Sequence, residues 1–586
     1  MKEKNGKVAG WLQIFILLFC GVLLICDISH KKGYHMDELL SFELANAEFN
    51  PWIVPTQPQG RLAKFVDQEL RGENTGETFQ NLVATIKDVC VNRGKSKLLS
   101  YKADVYQEPV WITAQEFTDY ITVGKQDGFE YLSVYFNVKD DNHPPLHFML
   151  LHTVCSIFRG KITPLMGCSI NLFFVLAMTA IIMNLVPELL KIAGQSKWTK
   201  EAGLLAGALY GLSAGAMNTT LLIRMYAMVS FFCIATLAIH VKKYFGVREK
   251  NFGQDNQLLG LVTVLGFWTQ YFFLFYCLVL AAVTSLLLWK NKRIRECIRY
   301  VRTMIMAAVV GIAGFPFAIQ DVFSSERGTE ALGNLSAGFS GYGTRLLAFG
   351  KIAVMKTGWV MLLIALTAGV LFVLCRLFKK RRKTEEDRSI CGELWTILAV
   401  PTAGYFLLAA RMSPYLVDRY IMPLFPLCVI LLVTGLGQLL CLEDHRQSRI
   451  FLTVLAGAMV AGQLFYPARY EETYLYEAYE DQEAISKEYR EDACICIGQG
   501  VGYYENLLEF THYCKTLILT PEQFENRGDK ESIEALDQVV VLLKNGLDSG
   551  WASEIMEQQY GMKLQKVLQQ AGGEYGDQLL LYQKEG

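Results

Sequence analysis

Long apolar runs separated by short charged clusters fill the first 466 residues of the chain. A membrane-spanning helix needs about 20 predominantly apolar residues. The run 257–289 is too long for one span and carries Thr269 and Gln270 near its middle, which predicts two helices joined by a tight turn. The whole pattern predicts about eleven spans, at 11–26, 164–188, 201–217, 219–241, 257–289 (two spans), 303–320, 353–377, 391–409, 419–441 and 450–466.

Basic clusters between the runs predict the sidedness, because cytoplasmic loops are enriched in Lys and Arg. Lys191, Lys197 and Lys200 form one cluster, and others lie at 242–248, 290–302, 379–383 and 445–449. If all five are cytoplasmic, each neighbouring pair encloses two spans, and the apolar segment 144–158 must not cross. We therefore predict that this segment lies in the membrane interface or dips into the membrane and returns, with the N-terminus cytoplasmic and the C-terminus outside.

The N-terminus itself allows two interpretations. Lys2, Lys4 and Lys7 precede the apolar run 11–26, as in a secretory signal peptide or a retained signal anchor. No small-x-small cleavage site follows and many spans come later, which favours the anchor.

The spans leave three regions outside the cytoplasm: a first loop at about 29–163, a middle loop at about 321–352, and a tail at 467–586. The tail alternates polar segments with the short apolar runs 493–497, 516–519, 538–543 and 579–582, a pattern typical of a small α/β domain. The predicted fold class is a mainly α, polytopic membrane domain at 1–466, with interfacial helices in its first loop, and a soluble extracytoplasmic α/β domain at 467–586.

Composition narrows the choice of partners. Mean hydropathy is +0.24, which predicts the lipid bilayer as a partner. Net charge is −1, so bulk electrostatics predict no nucleic-acid partner. The 15 Cys lie mostly inside apolar runs and behave as small hydrophobes. No cluster has metal-ligand spacing, so we predict no metal and no other cofactor. The glycines at 498–502 lack the spacing of a dinucleotide-binding loop.

An acidic pair, Asp37-Glu38, opens the first loop just past the first span. A carboxylate at the bilayer edge is costly to ionise, so a raised pKa is expected, and such a group could take a proton from a hydroxyl or an amine. The alternative is an ordinary polar start to an interfacial helix.

A second polar feature, the segment 140–147 with Asp141 and His143, precedes the apolar segment 144–158. Pro144 and Pro145 suit a helix entry and would hold these side chains rigidly at the membrane surface. Taken alone, the segment is better explained by a helix start with an acidic N-terminal cap.

Arginines near the predicted outer ends of spans run against the usual charge bias and indicate an anionic ligand such as a lipid phosphate. Snorkelling to head groups is the alternative. These residues and their neighbours, with the polar tip of the predicted helical pair, form the candidate binding set: Arg224, Tyr226, Gln270, Tyr271, Arg411, Arg419 and Tyr420.

The ordered set Met36-Asp37-Glu38, His143-Pro144-Pro145-Leu146, Arg224-Met225-Tyr226 and 419–423 (Arg-Tyr-Ile-Met-Pro) resembles the C-type membrane glycosyltransferases. More narrowly, it is similar to the family of protein O-mannosyltransferases and bacterial aminoarabinose transferases. The resemblance covers roughly the first 470 residues. It departs from the family in a long insertion in the first loop and in Tyr271, where relatives often carry a His or Lys nearby.

The resemblance implies a C-type glycosyltransferase fold and transfer of a sugar from a polyprenyl-phosphate donor to an envelope glycan, lipid or protein acceptor. By that resemblance Asp37 would be the catalytic base, with Glu38 orienting it or contacting the sugar. Asp141 and His143 would shape the pocket, and the candidate arginines would hold the carrier phosphate. The alternatives are a transporter or flippase of lipid-linked glycans, disfavoured by the absence of repeated halves, and a non-catalytic scaffold of envelope assembly.

Overall fold

A computed structural model describes residues 2–50, 52–56, 60–102, 108–125, 127–246, 252–376, 385–440, 446–477, 479–526, 530–570 and 576–584. The described chain divides into two compact units. Unit 1 comprises Met1–Ser29, Lys139–His147 and Gly167–Tyr474, and unit 2 comprises His30–Val138, Phe148–Met166 and Leu475–Gly586. The predicted basic residues at 248, 379–383 and 445 lie outside the described residues.

Unit 1 is helical because its sequence consists of apolar runs whose backbone polar groups must bond within one segment in a bilayer. Its helices are Lys2–Ser29, Pro164–Ile192, Thr199–Gly211, Ala214–Leu221, Tyr226–Phe245, Phe252–Phe267, Phe273–Lys290, Ile294–Gly314, Ala318–Phe323, Glu326–Ser336, Tyr342–Thr357, Trp359–Arg376, Glu385–Met412, the 3-10 turn Asp418–Ile421, Leu424–Leu440 and Arg446–Leu464.

Six helices among the described residues are long and apolar enough to cross a membrane, or seven if the pair Tyr342–Thr357 and Trp359–Val370, bent by 90°, counts as one span. The chain is thus a multi-pass membrane protein. The predicted count of about eleven is not confirmed by the described residues. Within them, the stretches Asn256–Phe267, Leu424–Leu440 and Arg449–Leu464 are apolar but have fewer than 18 residues each.

Two predicted boundaries differ from the structure. The run 201–217 breaks after Gly211, where Ser213 caps a new helix by accepting a hydrogen bond from Ala216 N at 3.0 Å. The run 219–241 is interrupted at 222–225, so Arg224 lies in a turn before the helix Tyr226–Phe245 and not within a span. The expected break in 257–289 is present, at residues 268–272.

The apolar segment after Pro145 forms the helix Leu146–Ile157, which has 12 residues. At about 1.5 Å per residue it rises about 18 Å, well short of a hydrocarbon core of about 30 Å. Its length fits the predicted non-spanning segment, and its sidedness stays a prediction.

Unit 2 contains a six-stranded mixed sheet. Its strands are β1 Trp111–Thr113, β2 Ala493–Ile497, β3 Lys515–Leu519, β4 Gln538–Leu543, β5 Met562–Gln569 and β6 Gln578–Lys584. The order is β1-β3-β2-β4-β6-β5, with β2 parallel to β3 and β4 and the other pairs antiparallel. β2, β3, β4 and β6 cover the apolar runs of the tail. β1 comes from the first loop, which the sequence did not predict.

The parallel strands are hydrophobic on both faces, as burial on both sides requires. Ile495, Leu517 and Val541 on one face pack with Ala552 and Met556 of the helix Ser549–Tyr560. The remaining helices of unit 2 are Met36–Asn46, Arg61–Phe65 with its π-helical continuation Val66–Leu70, Thr75–Asn92, Arg93–Lys95 (3-10), Lys97–Ser100, Ala114–Ile121, Tyr131–Asn137, Val138–Asp140 (3-10), Tyr479–Glu488, Gly502–Asn506 (3-10), Leu507–Phe510, Pro521–Glu525 and Lys530–Glu534.

Candidate functional site

Arg224 lies in the tight turn between two helices of unit 1. Its backbone N–H donates to the carbonyl of Leu222 at 2.7 Å, and its side chain is only 5% exposed. The Asn171 amide donates to the carbonyls of Thr220 and Leu222, which binds the end of the preceding helix to the helix Pro164–Ile192. The turn therefore holds a buried guanidinium on a rigid backbone.

His143 contacts the guanidinium of Arg224. The Nη2 atom lies 3.3 Å from Nδ1 and 3.4 Å from Nε2 of the imidazole. Nearly equal distances to both ring nitrogens place the guanidinium against the ring, a packing that arginine's planar group favours. On the ring's Nδ1 side, Asp141 Oδ2 lies 3.0 Å away. We call Asp141, His143 and Arg224 the Arg224 cluster.

The charge state of the cluster follows from these contacts. Burial alone would raise the pKa of Asp141, but the charge and hydrogen bond of His143 and the charge of Arg224 outweigh it and hold that pKa below its usual value. Asp141 is therefore ionised at neutral pH. The sequence predicted that Asp141, His143 and Arg224 act at one place, and the structure brings these three together.

The segment that contains Pro144 and Pro145 is hydrogen-bonded to the turn at 268–272. Leu146 N donates to the carbonyl of Trp268 at 3.1 Å, and the Trp268 indole donates to the carbonyl of Gly311 at 2.9 Å. His147 is fully buried beside the cluster, and burial, with the charges of Arg224 and His143, lowers its pKa to about 3. His147 is thus neutral at pH 7.

Tyr271 and Gln270 occupy that turn, as the sequence indicated, but they do different things. The Gln270 side chain accepts from the backbone N–H of Phe272 and so stabilises the turn itself. Tyr271 donates its hydroxyl to Asp321 Oδ2 at 2.5 Å. Asp321 is buried and was missed by sequence reasoning. Its only signal was an acidic residue directly after a predicted span, at the first position of the middle loop.

Arg419 and Tyr420 lie in the 3-10 turn Asp418–Ile421. The Arg419 guanidinium carbon lies 5.4 Å from the Tyr420 ring centre, and the Tyr420 ring meets Tyr226 edge-on at 6.3 Å and Phe272 at 5.3 Å. Tyr226 is two residues from Arg224, and Phe272 is next to Tyr271. Aromatic packing thus connects the segments that carry Arg224, Tyr271 and Arg419.

Arg411 is engaged elsewhere in unit 1. Its guanidinium donates to the carbonyls of Ala337 and Gly338, and it stacks on Phe339 at 5.3 Å and Tyr342 at 5.2 Å. Within the described residues no contact joins Arg411 to the Arg224 cluster. These contacts give no support to its predicted role in binding a phosphate. They attach the middle loop to the helix that carries Arg411.

Asp37 and Glu38 lie in unit 2, in the first turn of the helix Met36–Asn46. His35 caps the helix: its ring Nδ1 accepts from Asp37 N at 3.1 Å, and its own N–H donates to Glu38 Oε2 at 2.8 Å. The macrodipole favours both carboxylates at this end. The Asp37 side chain remains 21% exposed, with His35 Nδ1 at 3.6 Å from Oδ2.

Glu38 is, in contrast, fully buried and ion-paired. Lys31 Nζ lies 3.0 Å from Glu38 Oε2, and both side chains have no exposed surface. Lys31 also lies over the Tyr476 ring at 4.7 Å. The Glu38 carboxylate therefore holds the loop before the helix in place. That contact leaves Asp37 as the accessible acid of the pair.

Across the described residues, no group of three or more His, Cys, Asp or Glu side chains is arranged to hold a metal ion. The sheet in unit 2 carries one more polar group that the sequence did not reveal. Lys544, after β4, donates to Glu505, Asn506 and Asp577 at 2.7–3.0 Å, which ties the strand ends together.

No family model and no curated protein sequence matches the chain. Solved structures that align with it include ArnT from Cupriavidus metallidurans bound to undecaprenyl phosphate, with a TM-score of 0.42 and 9% identity over 75% of this chain and 88% of that one. The apo form of ArnT aligns with a TM-score of 0.30 and 10% identity, over 75% and 87%. An oligosaccharyltransferase from Archaeoglobus fulgidus, in complex with Zn and sulfate, aligns with a TM-score of 0.32 and 12% identity, over 72% and 61%.

Proposed function

We propose that the chain transfers a sugar from a polyprenyl-phosphate donor to an acceptor of the cell envelope, on the outer face of the cytoplasmic membrane. The observation that carries this proposal is the Arg224 cluster: a buried arginine and a histidine, 81 positions apart in sequence, in contact within a membrane protein. A guanidinium is expensive to bury, so a buried arginine in a membrane protein supports a functional site.

The chemistry assigns each part a role. In an inverting transfer, the acceptor hydroxyl or amine forms a bond to the anomeric carbon while the bond from that carbon to the phosphate oxygen breaks. The acceptor's proton goes to a carboxylate, and the polyprenyl phosphate leaves as an anion. Catalysis therefore needs a base for the acceptor and positive charge for the departing phosphate.

We assign the phosphate to Arg224, with Arg419 as the second cation. Arginine offers paired N–H donors that match phosphate oxygens. His143 and Asp141 orient the guanidinium, and Tyr226, Tyr271 and Tyr420 supply aromatic and hydroxyl surface to the donor. Gln270 shapes the turn that carries Tyr271.

We assign the base to Asp37. Within unit 2 it is the acid of the pair that retains exposure, whereas Glu38 is committed to Lys31. This assignment rests on the sequence motif and on the local geometry of the helix Met36–Asn46. The cytoplasmic N-terminus and the extracytoplasmic tail at 467–586 belong to the same proposal.

The test supplies membranes containing the chain with a radiolabelled polyprenyl-phosphate sugar and follows the label as it leaves the polyprenyl-phosphate carrier. We expect transfer by the wild type and transfer slower by at least about 10²-fold in Arg224→Gln and in Asp37→Asn. Equal transfer by the wild type and Asp37→Asn would remove Asp37 as the base. Movement of the intact lipid across a vesicle bilayer, without transfer, would replace the enzyme with a flippase. If the chain neither transfers the sugar nor moves the lipid, that result would favour a scaffold.

A further inference from the structure

An apolar cavity separate from the Arg224 cluster lies in unit 1, between four helices. It has a volume of about 290 Å³ between the helices Pro164–Ile192, Thr199–Gly211, Leu424–Leu440 and Arg446–Leu464. Its walls are mostly aliphatic, formed by Leu190, Leu205, Val433, Leu436, Leu455 and Met459. From Thr199 the chain passes through two helices before it reaches Arg224, so this cavity shares no residue with the Arg224 cluster.

Trp198 stands at the mouth of the cavity with an unused hydrogen-bond donor. Its indole Nε1 is buried, and no acceptor for it exists among the described residues. Buried donors without partners are rare in proteins and cost free energy. The donor therefore points to an acceptor that enters from outside the chain.

The backbone at Trp198 supports the same conclusion. Its φ of +61° lies in the left-handed region, which large side chains seldom adopt. Strain of this kind persists where the surroundings enforce it and often marks a binding site. Here it places the indole at the start of the helix Thr199–Gly211, whose first turn closes when Ala202 N donates to the carbonyl of Trp198 at 3.0 Å.

The charges around the mouth select an anion. Lys197 lines it and is exposed, and the Arg449 guanidinium carbon lies 5.7 Å from the Trp198 ring centre. One acid, Glu201, shares the mouth, as does the neutral Gln195. Among the described residues, two cations and one carboxylate thus lie beside the indole N–H.

We propose that this cavity binds an anionic glycerophospholipid of the bilayer. Its phosphate accepts the Trp198 N–H and lies between Lys197 and Arg449, and one acyl chain fills the aliphatic space. A free anion would leave the cavity unfilled, and a zwitterionic head group would bring its own cation against these two. The basic clusters beside the cavity are those that predict the cytoplasmic side, where anionic lipids are enriched.

The experiment adds phosphatidylglycerol, phosphatidylcholine or polyprenyl phosphate to the delipidated full-length chain in detergent. Bound lipid is counted by native mass spectrometry, and the Tm is recorded for each. We expect phosphatidylglycerol to bind about tenfold more tightly than phosphatidylcholine and to raise the Tm, because the choline group of phosphatidylcholine brings a cation against Lys197 and Arg449.

Three variants locate the site. Trp198→Phe keeps the ring and removes only the N–H, and it should weaken phosphatidylglycerol binding about tenfold. Lys197→Gln with Arg449→Gln should remove the preference for the anionic lipid. Ala456→Phe, which fills the cavity, should exclude the acyl chain. Lys290→Gln, an exposed lysine at the end of the helix Phe273–Lys290, is the control and should bind as the wild type does.

Equal binding of phosphatidylglycerol and phosphatidylcholine by the wild type would overturn the proposal. So would unchanged binding in both Trp198→Phe and Ala456→Phe, which would place the lipid elsewhere. Polyprenyl phosphate binding in preference to phosphatidylglycerol, and lost in the same variants, would overturn the assignment to a bilayer phospholipid. None of these outcomes depends on whether the chain transfers a sugar.

Discussion

The guanidinium of Arg224 lies against the imidazole of His143, with Nη2 3.3 Å from Nδ1 and 3.4 Å from Nε2. Asp141 binds the same ring at 3.0 Å, so a carboxylate, a histidine and an arginine form one continuous polar chain. The charge of Arg224 also helps to hold the pKa of Asp141 below its usual value. The ring of His143 and the carboxylate of Asp141 therefore both act on the orientation of the arginine.

The first prediction concerns the shape of the group at position 224. Arg224→Gln should lower sugar transfer by about 10²–10³-fold, the scale seen when one stabilising donor of a transition-state charge is removed. Arg224→Lys keeps the charge but cannot lie flat on the His143 ring, so it should recover only a small part. Initial rates with a labelled polyprenyl-phosphate sugar measure both.

The control for position 224 is Arg327→Gln. Arg327 is an exposed arginine of unit 1 with its own salt bridge to Glu330. The Arg327→Gln variant should transfer the sugar at the wild-type rate. Full activity in Arg224→Lys would show that charge alone suffices and would remove the argument from stacking.

The second prediction separates the two acids of the first loop. Asp37→Asn should reduce transfer by about 10²–10⁴-fold, the usual contribution of a general base, and leave the Tm unchanged. Glu38→Gln should instead destabilise the fold by about 3–5 kcal/mol, because it removes the buried negative charge that lies 3.0 Å from Lys31 Nζ. Activity and thermal unfolding of each variant in detergent distinguish these effects.

A neighbouring pair provides the matched control for Glu38. Lys32 and Glu480 lie 2.9 Å apart but are exposed, so Glu480→Gln should not change the Tm measurably. Replacing both members of the buried pair, with Lys31→Met and Glu38→Leu, should restore much of the stability lost in Glu38→Gln. If Glu38→Gln is as stable as the wild type, the ion pair does not hold the loop.

The third prediction is a pH dependence within unit 2. Burial raises the pKa of Glu509 to about 8 from 4.5. The folded state therefore holds a proton that the unfolded state has lost between these values. Its stabilisation is complete below pH 4.5 and declines by about 1.4 kcal/mol per pH unit up to about pH 8.

Glu509→Gln, which cannot titrate, should therefore gain stability relative to the wild type as pH rises from 5 to 8. Denaturant unfolding of both proteins across this range measures the difference. Glu522→Gln, an exposed acid of the helix Pro521–Glu525, should keep a constant difference from the wild type. A constant difference for Glu509→Gln as well would show that Glu509 ionises normally.

The fourth prediction concerns β1, the strand that the first loop adds to the sheet. Ile112 is buried and pairs with Thr516 of β3. Ile112→Ala should cost about 2–5 kcal/mol, and Ile112→Val about 0.5–1.5 kcal/mol. Amide hydrogen exchange along β3 should quicken in the same order. Unchanged exchange in Ile112→Ala would mean that the loop strand does not stabilise the sheet.

The fifth prediction concerns sidedness. Cysteine at position 161, just beyond the helix Leu146–Ile157, should react with a membrane-impermeant maleimide added from outside. Peptide-level mass spectrometry separates this site from the exposed Cys90 and Cys514. Lys290→Cys should be labelled only after the membrane is opened. Labelling of position 161 only from the cytoplasmic side would mean that 144–158 crosses the bilayer.

Local pattern determined much of this protein. Apolar runs predicted the helices of unit 1, and Thr269 with Gln270 marked the break between two of them. Period and length also marked the runs that form β2, β3, β4 and β6. These features depend on near neighbours in the chain, because helix and strand formation and the hydrophobic pattern act over a few residues. The motifs around Asp37, His143, Arg224 and Arg419 were visible for the same reason.

Only the tertiary structure decided which of these residues act together. Arg224 contacts His143, which lies 81 positions earlier in the chain, and Asp321 binds Tyr271. The strand β1 joins a sheet whose other strands all lie after residue 492. It also decided that Glu38 forms an ion pair with Lys31 and that Arg411 donates hydrogen bonds to the middle loop. Such contacts depend on packing between distant segments, and periodicity carries no record of which segments meet. The acidic pair shows the division clearly: sequence revealed two carboxylates, and burial made them different.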